Sequence, residues 1–447
     1  MNGAIAIALS GGIDSLVAAA LLKEAGHRVI GVHFLTGYEK HSDETRRPPN
    51  KSAGDPPDQS DPLTDSLDES LANSLIDPID DTVADPLANP FVDSLADPCD
   101  DALPGLVAVP KANAVAKTAP NPAAAPHSGP MADPAAGLVA GSSHGPAADL
   151  AAGLADQLGI AVHVVDLSAA FEHHVVDYFT EAYRAGRTPN PCLVCNPTIK
   201  FDALAQKAMA LGADRMATGH YARIVSGADG RMRLLRGVDP QKDQSYFLAR
   251  LTQPQLRMAR LPLGGCTKAR TRQIAQQKGL VPIVSEESQD VCFIPKGSYG
   301  DFLVSRPGFT PRPGPIVNLS GEVIGRHAGL HRFTIGQRRG INIPAAAPYY
   351  VVRLDADDHR LVVGQKADLL TARFRAMQIN WIALPPTASL AVQVRVRYRH
   401  RAVPAILRPL DDTSAEIAFD TPQEAVTPGQ GAVFYQGEDV LGGGWIQ

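Results

Sequence analysis

Apolar and polar positions along this chain follow two regimes. Residues 4–9 form a short unbroken apolar run, the pattern of a strand buried on both faces. A glycine turn ends it, and residues 14–25 carry apolar side chains at helical spacing. Residues 28–34 read as a second strand. After a long interruption the alternation resumes with a helix at 149–158, a strand at 161–165, helices at 171–185 and 201–211, and a strand at 215–218. Strands alternating with helices predict a parallel sheet in an α/β domain. Beyond residue 295, glycine and proline punctuate short β-rich runs at 315–318, 349–354, 361–363, 392–399, 415–419 and 432–435. These predict small antiparallel domains, including a barrel. The expected organisation is an α/β domain over 1–295, interrupted at about 41–147, then a small central β-rich domain over 296–345 and a C-terminal antiparallel β-barrel over 346–447.

The interruption has its own pattern. From Asp61 to Pro104 an apolar residue returns at every fourth position, among them Leu63, Leu67, Leu71, Leu75, Leu87, Phe91 and Cys99. A period of four drifts around a 3.6-residue helix, and the recurring prolines break it. Residues 41–150 hold 17 of the 37 prolines and a single aromatic, so they read as a disordered insertion.

Composition sharpens this division. The 447 residues are 44% hydrophobic, enough for more than one core. No run reaches the ~18 apolar residues of a membrane span. The N-terminus has no basic segment before its apolar run, so it does not read as a secretion signal. Five cysteines argue against a disulfide framework and for a reducing cytoplasm. The net charge of −5 hides an insertion of −13 and a remainder of +8, a sign compatible with a polyanionic partner.

The first strand runs into Ser10-Gly11-Gly12-Ile13-Asp14-Ser15. Two glycines permit a tight turn, and successive N–H groups at a helix N-terminus form an anion cradle. The lysine of a Walker A loop is absent. The bland reading of these residues is a glycine turn with Asp14 as helix cap. In its strand–turn–helix setting the loop resembles the PP-loop of ATP pyrophosphatases, which cleave ATP between the α- and β-phosphates and transfer AMP to an oxygen. The resemblance implies an adenine nucleotide alpha hydrolase-like fold. It implies an ATP site at Ala8, Leu9, Ser10, Gly11, Gly12, Ile13, Asp14 and Ser15, with Asp14 holding Mg²⁺ or orienting pyrophosphate and Phe34 meeting adenine.

Two further clusters hold cysteines. One is Gly186-Arg187-Thr188-Pro189-Asn190-Pro191-Cys192-Leu193-Val194-Cys195-Asn196-Pro197-Thr198-Ile199-Lys200-Phe201; the other is Glu287-Ser288-Gln289-Asp290-Val291-Cys292-Phe293-Ile294. Between them lie Ala217-Thr218-Gly219-His220-Tyr221 and Lys242-Asp243-Gln244-Ser245. With Gly336-Gln337-Arg338-Arg339-Gly340, Arg397-Tyr398-Arg399 and the terminal Gly442-Gly443-Gly444-Trp445-Ile446, the chain outside the insertion resembles the tRNA-specific 2-thiouridylase family.

That family replaces the C2 oxygen of the wobble uridine of tRNA with sulfur. A urea-like carbonyl is a poor electrophile, and adenylation converts its oxygen into AMP, a good leaving group. Sulfur reacts as thiolate or persulfide, which gives two cysteines work at one site. By resemblance Cys195 is the nucleophile, Cys292 carries the incoming persulfide sulfur, and the two close a disulfide after transfer. Gly219 lines the ATP site, and Asn190, Pro191 and Cys192 meet the target base. His220, Lys242, Asp243, Gln244, Arg397, Tyr398 and Gln430 meet tRNA, while a sulfur donor or relay protein supplies the sulfur.

The resemblance breaks at Cys192, where many relatives have aspartate. Three thiols, Cys192, Cys195 and Cys292, leave one position open on a 4Fe–4S cluster or a zinc ion. In that alternative they are ligands. Two other readings compete: a PP-loop enzyme activating a small molecule, which would not need Cys195 and Cys292, and a non-catalytic tRNA-binding or sulfur-carrier protein, which would not need an intact Ser10–Ser15 loop.

Overall fold

The computed structural model describes residues 3–39, 145–284, 291–294 and 298–447. Most of the insertion, with Cys99, and the stretch Glu287–Asp290 lie outside the described residues.

The first unit is a five-stranded parallel sheet in the order β3-β2-β1-β4-β7. Its strands are β1 (Ala4–Ala8), β2 (Val29–Leu35), β3 (Val162–Asp166), β4 (Ala213–Ala217) and, after the hairpin below, the two-residue β7 (Ala259–Arg260). The alternation within β1 sets up both faces. Ile5, Ile7 and Leu9 pack with Leu16 and Ala19 of the helix Ile13–Glu24, and with Leu154, Leu158 and Ile274. Ala4 and Ala6 face the opposite layer, with Val175, Phe179, Leu204 and Ala208. Helices therefore cover both sides, as a buried parallel sheet requires.

Two helical readings change. The helix expected at 171–185 is divided into α-helix Ser168–Phe171, π-helix Glu172–Val176 and α-helix Asp177–Arg184. The helix expected from 201 begins ten residues earlier. Pro191–Cys195 is α-helical, Asn196–Ala203 is a π-helix, and Leu204–Ala210 returns to α. Two prolines, Pro191 and Pro197, concealed this stretch; Pro191 sits in the first turn, where its missing N–H costs nothing, and Pro197 falls where the α-helix passes into the π-helix.

The hairpin β5 (Ala222–Ser226) and β6 (Met232–Arg236), absent from the sequence reading, leaves the first unit and joins the barrel. The central sheet runs β10-β11-β8-β9, from β8 (Gly314–Val317), β9 (Val323–His327), β10 (Tyr350–Asp355) and β11 (Arg360–Gly364). Strands at 350–364, grouped by sequence with the barrel, join this sheet instead: β10 pairs β11, and β11 pairs β8 in parallel.

The last sheet is a closed barrel in the order β12-β15-β14-β13-β16-β17, with β12 pairing β17. It comprises β12 (Leu370–Trp381), β13 (Leu390–Arg395), β14 (Val403–Asp411), β15 (Ser414–Glu424), β16 (Gly431–Gln436) and β17 (Asp439–Ile446). Val394, Leu407, Ile417 and Phe434 fill its interior. β6 pairs β17 through Leu234↔Val440 and Leu235↔Asp439, which ties the barrel to the first unit.

Candidate active site

In an open parallel sheet, ligands bind beyond the carboxyl ends of the strands, where the strand order reverses. Here that point lies between β1 and β4, since the chain leaves β1 toward β2 on one side and β4 pairs β7 on the other. The segments that follow these two strands are Ser10–Ser15 and Thr218–His220.

The loop is held by its own side chains. Gly11 has φ +83, a conformation that favours glycine. Ser15 Oγ donates to the Gly12 carbonyl at 2.8 Å, and Ser10 N approaches Ser15 Oγ at 3.3 Å. Gly12 is the helix N-cap, with no side-chain cap, so Asp14 does not cap. Its carboxylate instead accepts from buried Lys268 Nζ at 2.8 Å to each oxygen and from the Tyr221 hydroxyl at 2.7 Å. Burial, reinforced by Asp14, holds the Tyr221 phenol protonated well above its ordinary range. Nothing in the sequence pattern marked Lys268 or Tyr221 as partners of Asp14, because the contacts span 254 and 207 residues.

Gly219 closes against the loop. A Cβ on it would sit 3.1 Å from the Asp14 carbonyl carbon and the Ser15 nitrogen. Phe34 and Ala8 are half-buried against the core layer of Ala4 and Ala6, and Leu9 is buried with its carbonyl 2.8 Å from His33 Nδ1. A strap missed in the sequence crosses the loop: Ile283 N and Val284 N donate to the Gly11 carbonyl at 3.0 and 3.2 Å.

The thiols lie along the neighbouring helix and one tight turn. Asn190 caps the helix Pro191–Cys195, its Oδ1 accepting from Leu193 N at 3.3 Å. Gln430, from the barrel, meets Asn190 Nδ2 at 3.5 Å and donates to the Thr188 and Pro189 carbonyls at 3.2 and 3.0 Å. Two predicted tRNA-contact positions, 240 residues apart, are thereby brought together. Cys292 sits on a turn anchored by fully buried Phe293, whose ring packs edge-on against Tyr38, Phe171 and Phe179.

Cys192, Cys195 and Cys292 are all unpaired; solvent reaches the first and last, and Cys195 is buried. Protein crowds all three on their other sides. Desolvation raises each thiol, Cys195 to about 12 and Cys292 to about 11, with Lys200 opposing the rise. Cys192 and Cys292 in turn act on Cys195 as nearby charges, so the three lie within one another's field. His220 is pushed well below its ordinary value by burial and then by Lys200, and its Nδ1 lies 2.7 Å from Thr218 Oγ1. It is a neutral imidazole at physiological pH.

Gly219 thus packs on the loop, and Lys200 acts electrostatically on both the adjoining His220 and the three thiols. Among the described residues, no group of three or more His, Cys, Asp or Glu side chains is arranged to hold a metal ion.

The other predicted tRNA positions divide. Arg397 and Lys242 are half-buried, and Tyr398 packs on Phe247 with ring centroids 4.2 Å apart. Asp243 turns inward, paired with Arg395 at 2.9 Å and accepting from Gly237 N and Ser245 N at 3.0 Å. Gln244 also turns inward, its Oε1 accepting from Tyr221 N at 3.0 Å. Cys266 is fully buried in the core. No helix among the described residues is long and apolar enough to cross a membrane.

The chain matches three family models in succession. A tRNA methyl transferase HUP domain covers residues 3–58 and 141–296, a tRNA methyl transferase PRC-barrel domain 301–365, and an aminomethyltransferase beta-barrel domain 371–446. It is 41% identical over 446 residues to the tRNA-specific 2-thiouridylase MnmA of Desulfosudis oleivorans, which spans all of this chain and 95% of that protein. The protein of the same name from Geobacter metallireducens is 46% identical over 293 residues, 66% of this chain and 80% of its own length. That from Syntrophotalea carbinolica is 47% identical over 293 residues, 66% and 83% of the two chains.

Proposed function

Because the chain belongs to the family of tRNA-specific 2-thiouridylases, we propose that it adenylates the C2 oxygen of the wobble uridine of tRNA and replaces that oxygen with sulfur. The products are 2-thiouridine, AMP and pyrophosphate. One observation supports this reading: Gly219 packs on the PP-loop, and the adjoining His220 shares the field of Lys200 with three unpaired thiols.

In this reading the N–H groups of Ser10–Ser15 cradle the phosphates of ATP, and Phe34 packs on adenine. Magnesium arrives with ATP as part of the substrate. Asp14 acts through Lys268, which it holds against the loop. Asn190, Pro191 and Cys192 form the wall facing the extruded base. Gln430, Arg397, Tyr398, Lys242 and His220 face the tRNA. Asp243 and Gln244 support that face from behind, Asp243 by fixing Arg395 and Gln244 by fixing Tyr221.

Sulfur transfer follows the persulfide route, and no step passes through a 4Fe–4S cluster. A donor or relay protein places a sulfane sulfur on Cys292. A hydropersulfide ionises more readily than a thiol, which offsets the raised value of Cys292. The terminal sulfur attacks C2, the C2–O2 bond breaks, and AMP leaves with the oxygen. Cys195 then attacks the Cys292 sulfur, releases the new thiocarbonyl sulfur, and closes a Cys195–Cys292 disulfide. A thiol reductant, of the kind the cytoplasm supplies, reopens it.

The test is nucleoside mass spectrometry of unmodified tRNA after incubation with the full chain, ATP, magnesium and a persulfide donor. The expected result is 2-thiouridine matched by AMP and pyrophosphate. Pyrophosphate release with a small-molecule acceptor, and none with tRNA, would favour small-molecule activation instead.

A further inference from the structure

The helix bearing the first two thiols widens directly behind them. Pro191–Cys195 is α-helical and Asn196–Ala203 is a π-helix. In a π-helix the backbone bonds run from i to i+5, so Lys200 falls about one turn below Cys195 on the same side. Lys200 is half-buried and has no carboxylate partner among the described residues. A half-buried ammonium without a counter-charge calls for an anion. It is also the one cation among the described residues that acts on Cys192, Cys195, Cys292 and His220 alike. His220 follows Gly219, which packs on the loop backbone. Lys200 thus stands about one turn from Cys195, within the field of the thiols and of His220.

On the thiolation reading above, an anion must pass through that position. The adenylated uridine has its phosphorus one oxygen away from C2. When C2 faces the thiols, the phosphate lies beside them too. We propose that Lys200 is a further catalytic residue: its ammonium binds the phosphate of the uridine-bound adenylate and takes up charge as AMP departs. Sulfur adds to C2, the electron pair of the C2–O2 bond leaves with the oxygen, and AMP gains one negative charge. The step needs no proton from Lys200. A flexible point charge suits a phosphate whose oxygens move as the bond breaks.

The experiment compares the full-length wild type with Lys200→Met and Lys200→Arg, using tRNA, α-phosphate-labelled ATP and a persulfide donor. Lys200→Met is expected to form 2-thiouridine roughly 10²-fold more slowly, the usual loss on removing one charge-stabilising donor. Label accumulates on its tRNA, because the adenylate forms but leaves slowly, while KM for tRNA stays within about threefold. Lys200→Arg, which keeps the charge, recovers at least about a tenth of the wild-type rate. Three results overturn the proposal: Lys200→Met turning over within threefold of wild type, no label on its tRNA, or Lys200→Arg as slow as Lys200→Met. A wild type that makes neither labelled tRNA nor 2-thiouridine defeats the thiolation reading itself, which is a separate outcome.

Discussion

The C-terminal barrel and the switch-point crevice are built from the same apolar vocabulary but leave different things open. In the barrel, closure of β12 on β17 removes the sheet edge, and Val394, Leu407, Ile417 and Phe434 are sealed inside. At the crevice, among the described residues, the Asn196 Oδ1 atom is buried without a partner, three thiols stand unpaired, and Lys200 meets no carboxylate. The barrel spends its residues on packing. The crevice holds groups that no described residue partners, which is where a ligand is expected.

The comparison breaks or sharpens first at Cys195 and Leu407. Cys195→Ala should lower 2-thiouridine formation by roughly 10³-fold or more, the scale of losing a nucleophile, while its melting temperature stays within about 2 °C of wild type. Leu407→Ala should do the reverse. It should cost about 2–5 kcal/mol in stability, measured by urea unfolding, and leave turnover per folded molecule close to wild type at low temperature. A destabilised thiol variant, or a folded but inactive barrel variant, would show that the two regions are not separable in this way.

Gly219→Ala tests the same contrast within the crevice. Its new Cβ would press on the Asp14 and Ser15 backbone at 3.1 Å, and the loop must shift by a few tenths of an ångström. The expected effect is a KM for ATP raised about 10- to 100-fold, with little change in the affinity for tRNA. Equal losses in both would mean that Gly219 supports the whole crevice rather than the loop.

How far the sequence carries differs between the two regions for a physical reason. The Ser10–Ser15 loop was legible because its geometry is local: a strand, two glycines and a helix determine it. So was the presence of a barrel, since β16 and the start of β15 keep apolar runs. What escaped depends on long-range contact. The hairpin β5–β6 is short and carries three arginines, and it looks like surface until β17 pairs with it. β14 contains Pro404 and Pro409, which weaken any strand reading. At the site, the Asp14–Lys268 pair and the inward turn of Asp243 depend on partners more than 150 residues away. Lys200 was visible as part of a motif, but the π-helix that aims it was not, because one extra residue per turn leaves no mark on composition.

The smallest effect is a matter of protonation. Exposure alone would make Cys292 reactive and Cys195 sluggish, but desolvation raises both, to about 11 and about 12. A raised value lowers the thiolate fraction at any given pH below it. Alkylation of the free protein by iodoacetamide should therefore be slow at pH 7 and gain about tenfold per pH unit, with no plateau before pH 10. Peptide mass spectrometry should find Cys292 modified ahead of Cys195, since the former is both lower and open to water. A plateau near pH 8–9 at Cys292 would mean that the ammonium of Lys200 outweighs desolvation there. The resting thiol would then be a nucleophile without persulfide loading, and the crevice would be poised for sulfur chemistry before any donor arrives.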